Sequence, residues 1–102
     1  MNSSQLVRTI PGLTYKRLDY WCQDGIFGND LVDPGHYVRR SFSEEDIPVA
    51  MALARASNAI NSRNGSLQIY RRIAELVREG NRRPDIVLGP GVHLIVDIDA
   101  PS

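Results

Sequence analysis

The chain has one cysteine, no long apolar run and no excess of charge, and each shortage closes off a class of protein. Cys22 alone cannot form an internal disulfide, and its place among apolar residues reads as a buried, reduced thiol. No stretch approaches the ~20 apolar residues that span a bilayer, and the opening Met-Asn-Ser-Ser-Gln has neither the basic nor the long apolar region of a signal peptide. The protein is therefore expected in the cytoplasm, away from membranes. The two histidines, His36 and His93, have no second His, Cys or carboxylate cluster at ligand spacing, so no metal site is expected. Gly89-Pro90-Gly91 is followed by neither Lys-Ser, Lys-Thr nor a helix, and reads as a turn and not a phosphate loop. No catalytic set emerges, so an enzyme is not expected, and nothing implies a cofactor or a small-molecule effector.

The 12 basic and 12 acidic residues cancel. A nucleic-acid binder concentrates positive charge on one face, so only the distribution of charge can support that function. Between residues 55 and 83, Arg55, Arg63, Arg71, Arg72, Arg78, Arg82 and Arg83 outnumber Glu75 and Glu79. In the first half, Lys16, Arg17, Arg39 and Arg40 are offset along the chain by Asp19, Asp24, Asp30 and Asp33.

What is present is organised around residues 12 to 27. Thr14 suits an N-cap and Gly25 suits a left-handed residue beyond a helix end, which predicts a helix over Tyr15 to Asp24. Leu18, Trp21, Cys22 and Gly25 mark its buried stripe, leaving Lys16, Tyr20 and Gln23 on the opposite face. Such a face offers donors suited to phosphates and base edges. Before it, Ser4 can cap a short helix carrying Leu6, Val7 and Ile10, broken by Pro11-Gly12, so the segment reads helix, tight turn, helix.

Gly12-Leu13-Thr14, Leu18, Tyr20-Trp21 and Gly25-Ile26-Phe27 together resemble the second helix of MerR-type winged helix-turn-helix DNA-binding domains. Arg40-Ser41-Phe42-Ser43-Glu44-Glu45-Asp46-Ile47 is similar to the end of that family's wing and the start of its third helix. The two motifs, in the same order and at a compatible distance, cover residues 4 to 60. The resemblance implies a DNA-binding region over 1–60, with a hairpin wing over Ile26 to Phe42. Its implied DNA-contacting set is Thr14, Tyr15, Lys16, Arg17, Tyr20, Arg39 and Arg40, with Lys16 and Arg17 entering the major groove and Tyr20, Arg39 and Arg40 holding the backbone. At position 19 the family's usual arginine is an aspartate, which repels phosphate.

Ser43 with Glu44, Glu45 and Asp46 predicts the start of a third helix, shifted toward Asp46 because Pro48 fits only its first turn. Val49, Leu53, Ala56 and Ile60 form its stripe. A fourth helix is expected from Ser66 to Gly80, with Ile69, Ile73, Leu76 and Val77 on one face. Ile86 to Leu88 and Val92 to Ile98 predict a hairpin whose second strand gathers Val92, Leu94, Val96 and Ile98 on one face, with Asp97 and Asp99 protecting an exposed edge. That apolar face predicts a homodimer through residues 66–99, unless the hairpin folds back on its own helix.

The expected fold is thus mainly α with small β elements: a winged helix-turn-helix followed, over 61–102, by an extra helix and a C-terminal β-hairpin. The expected function is sequence-specific binding of double-stranded DNA as a small transcriptional regulator. A phage excisionase that bends DNA is one alternative. A protein-interaction adaptor or antirepressor with a neutralised DNA face is the other.

Overall fold

The computed structural model describes residues 1–28, 40–60 and 66–101. The protein is mainly helical with a small antiparallel sheet. In order come α1 (Ser3–Thr9), α2 (Tyr15–Gln23), α3 (Asp46–Ala59), α4 (Ser66–Arg78), β1 (Asp85–Gly89) and β2 (Val92–Ile95). Of the wing expected over Ile26 to Phe42, residues 29–39, with His36 and Arg39, lie outside the described residues, as does the break between α3 and α4.

The ends of α1 and α2 follow from local chemistry. The cap of α1 is Asn2 and not Ser4: the Asn2 side chain accepts from the Gln5 amide while the Gln5 side chain accepts from the Asn2 amide. This reciprocal box needs an amide or acid three residues past the cap, and Gln5 stands at that distance from Asn2. In α2, Thr14 Oγ1 accepts from the Arg17 amide at 3.2 Å. Gly25, at φ 84°, ends the helix in a Schellman arrangement, with Ile26 N–H donating to Trp21 and Gly25 N–H to Cys22. Gly80, at φ 96°, repeats it for α4 through Asn81 to Leu76 and Gly80 to Val77.

α3 is the element the others cover. Val49, Ala50, Ala52, Leu53, Ala54, Ala56 and Ser57 are all buried, so burial extends well beyond one stripe, and the alanines let neighbours approach closely. One contiguous core runs from Leu6 to Ile98, which makes α4 and the hairpin part of the same core as residues 1–60. Trp21, 1% exposed, meets the ring of Tyr70 on α4 edge to face at 5.4 Å. Phe27 and Phe42 pack the same way at 5.4 Å. The chain start joins them, since the Met1 ammonium donates to the Phe42 carbonyl at 2.9 Å and an isolated antiparallel bridge links Asn2 to Ser41.

The hairpin does fold back. Ile86 pairs with Leu94 and Val87 with His93, then a register shift at Leu88 brings Gly89 opposite Val92. Val96 and Ile98 lie past the end of β2, yet they continue the ladder by donating to Pro84 and Arg82, and both are buried. The expected face of Val92, Leu94, Val96 and Ile98 is therefore largely spent inside the monomer, because the strand carries Val96 and Ile98 beneath the chain's own helices. Val92, at the tip, is exposed. Asp99 is drawn into a turn, where it takes two hydrogen bonds from Arg82, at 3.1 and 2.6 Å, in place of guarding a strand edge.

Candidate nucleic-acid interface

The tight turn between α1 and α2 is fixed by Gly12. Its φ of 82° favours glycine, and a Cβ there would collide with the side-chain amide of Asn58 on α3. The α1 to α2 connection therefore rests directly on the C-terminal end of α3. Arg17 secures the contact by donating to the Gly12 carbonyl at 3.3 Å, Ser57 Oγ at 3.0 Å and Asn58 Oδ1 at 3.0 Å. Expected to reach into the major groove, Arg17 is instead engaged by neutral acceptors that hold its guanidinium beside the first turn of α2. Its charge remains there, with no carboxylate among those acceptors.

The remaining expected contact residues divide by environment. Thr14 is used as the cap of α2. Tyr15 is exposed, and its hydroxyl donates to Ser4 Oγ at 3.0 Å, tying α2 to α1. Lys16, Tyr20 and Gln23 are exposed on the outer face, Tyr20 at 58%. Among the described residues, the side chains of Lys16 and Tyr20 have no hydrogen-bond or ionic partner. Gln23 donates to Asp19 Oδ2 at 2.8 Å. Arg40, expected on the DNA backbone, forms an ion pair with Asp19 Oδ1 and has a largely buried side chain. Asp19, placed where the resembled family carries arginine, thus collects a donor from within α2 and a guanidinium from the segment before α3.

Most arginines of the basic stretch are paired to acceptors from elsewhere in the chain. Arg78 donates to Asp46 Oδ1 at 3.1 Å and to the Ile26 carbonyl at 3.2 Å. Asp46, only 7% exposed, also takes the Ser43 amide at 2.9 Å and the Ser43 hydroxyl at 3.1 Å on its other oxygen. Arg71 contacts Asp24, Arg72 pairs with Glu75 at 3.0 Å, Arg82 pairs with Asp99, and Arg55 donates to the Ala100 carbonyl. The Arg82 hydrogen bonds hold the Asp99 carboxyl below the usual carboxylate range. This half of the chain is a set of internal ties, and its field outside the molecule is smaller than its arginine count suggests.

Cys22 lies on the buried face of α2, and burial pushes its thiol up to about 11. It is therefore a packed neutral group at physiological pH. No cluster of three or more metal-ligating side chains exists among the described residues, and no helix among them is long and apolar enough to cross a membrane. No family model matches the chain, and neither a curated protein nor a solved structure matches it.

Proposed function

We propose that the protein binds double-stranded DNA through the outer face of α2, as a winged helix-turn-helix domain acting as a small transcriptional regulator. The reading is carried by one observation: Lys16 and Tyr20 stand exposed, with no partner among the described residues, on a helix whose start is locked by a cap, a glycine turn and Arg17. A short helix bracing a second across a tight turn is the arrangement by which such domains insert a helix into the major groove. Lys16 would supply a phosphate or base-edge donor and Tyr20 a hydroxyl to the backbone, while the Arg17 charge favours the approach of phosphate to the start of the helix. The resemblance to MerR-type domains points the same way.

The charge arrangement favours a second reading, a protein-interaction adaptor built on the same scaffold. Asp19 neutralises Arg40, and internal pairing absorbs most arginines of α4 and beyond. A gel shift against the duplex upstream of the protein's own coding sequence, at low and at physiological salt, separates the two. A shift at low salt that fades as salt rises is expected of a binder with few phosphate contacts. No shift at either salt favours the adaptor.

A further inference from the structure

The geometry points to the open edge of β2 as a self-association surface, on which the same strand of a second copy pairs antiparallel to form a four-stranded sheet. Val96 N–H donates to Pro84 and Ile98 N–H to Arg82, so the even-numbered residues of this strand turn their backbone groups toward β1. His93 and Ile95, between them, turn their N–H and C=O groups outward. No hydrogen bond to these groups exists among the described residues, so the edge is a row of unused donors and acceptors.

The two edges of the sheet are guarded differently. β1 begins after Pro84, carries Asp85 and is interrupted by the register shift at Leu88, all devices that discourage further pairing. β2 reads Val92-His93-Leu94-Ile95, without acid, lysine, arginine, proline, glycine or bulge. On its solvent face Val87, 66% exposed, and Ile95, 49% exposed, stand beside the cross-strand pair of His93 Nδ1 and Asp85 Oδ1 at 2.8 Å. Beside the edge lies a cleft of about 240 Å³ between β2 and α3, lined by Leu94, Ile95, Ala56 and Ala59 among others. A strand added to the edge would lay its inward side chains over that cleft.

A second copy is the occupant this edge fits because an antiparallel pair of identical strands is closed by a two-fold axis. Centred on Leu94, the pairing sets His93 of each copy opposite Ile95 of the other, and both residues exchange N–H and C=O in both directions. It also sets Asp97 opposite Gly91 of the second copy, so no like charges oppose one another. An isolated two-stranded sheet is marginal, and doubling it extends the hydrogen-bonded network.

The test is sedimentation of the full chain without DNA over a range of concentrations, beside Ile95→Pro and Ile95→Lys. Proline removes an outward N–H without touching the bonds to β1, and lysine places a charge on an exposed edge. The expected result is a concentration-dependent dimer for the parent, and for both variants a monomer with unchanged far-UV circular dichroism. Hydrogen exchange at the Ile95 amide should slow as the parent is concentrated. A parent that stays monomeric at the highest attainable concentration, or a dimer that survives both substitutions, overturns the assignment. Neither outcome bears on whether α2 binds DNA.

Discussion

Asp19 on α2 and Arg40 before α3, 21 residues apart in the chain, form an ion pair in which the arginine is largely buried and the aspartate half exposed. Gln23 donates to the other oxygen of the same carboxylate, so on the proposed reading a DNA phosphate would have to compete with Asp19 for the guanidinium. It fastens the segment before α3 to α2, and it withholds a positive charge from the proposed interface.

Asp19→Asn removes that competitor while keeping the side chain's size. Binding to duplex DNA should tighten, and the dependence of log K on log salt should steepen by about one phosphate equivalent. Fluorescence anisotropy at several salt concentrations measures both quantities. Unchanged affinity and slope would mean that Arg40 is held away from DNA by more than Asp19.

Arg78→Ala leaves Asp46 with the Ser43 donors but without its counterion, at 10% side-chain exposure. Removing one member of a buried pair costs about 3 to 5 kcal/mol, and the partly exposed arginine places this case near about 3. Urea denaturation should show the loss as a lower midpoint. A midpoint within experimental error of the parent's would show that Asp46 is adequately served by Ser43 alone.

Trp21→Ala empties the contact with Tyr70 at the junction of α2 and α4. The cost should be about 3 to 5 kcal/mol, a large share of the total stability of a domain this size. Thermal unfolding followed by circular dichroism checks it, and an unchanged melting temperature would contradict the packing.

Cys22 has a folded-state value near 11 against an ordinary 9.0. Above pH 9 the unfolded chain gives up the thiol proton while the folded chain keeps it, so this group's contribution to stability declines as pH rises from 9 toward 11. Alkylation by iodoacetamide at neutral pH should therefore be slow and should track global unfolding, accelerating when urea is added. Rapid labelling of the native protein would place Cys22 at the surface.

What was legible in the sequence was local. Thr14 and Gly25 mark the ends of α2 because caps and left-handed residues act within one turn, and Pro48 correctly displaces the start of α3 to Asp46. Asn2, Ser3 and Ser4 can all cap, and only the reach of Gln5 back to Asn2 decided among them. The charges could not be read this way. Arg71 finds Asp24, Arg78 finds Asp46 and Arg82 finds Asp99 across the fold, so a stretch that is basic in sequence is nearly neutralised in space. The acceptors of Arg17 on α3 are hidden from the sequence for the same reason, since they lie 40 and 41 residues away. The alternation from Val92 to Ile98 identified the hairpin correctly, but alternation does not say what covers a face, and the monomer's own helices cover Val96 and Ile98.

If the exposed face of α2 contacts DNA as proposed, Lys16 is the residue to change, because no described residue holds its side chain. The measurement is the salt dependence of binding to a labelled duplex for the parent and Lys16→Ala, with circular dichroism to confirm that both are folded. Weaker binding by the variant, with a salt slope smaller by about one, is the predicted result. Equal affinity at every salt concentration, or no binding by the parent at any, would contradict it.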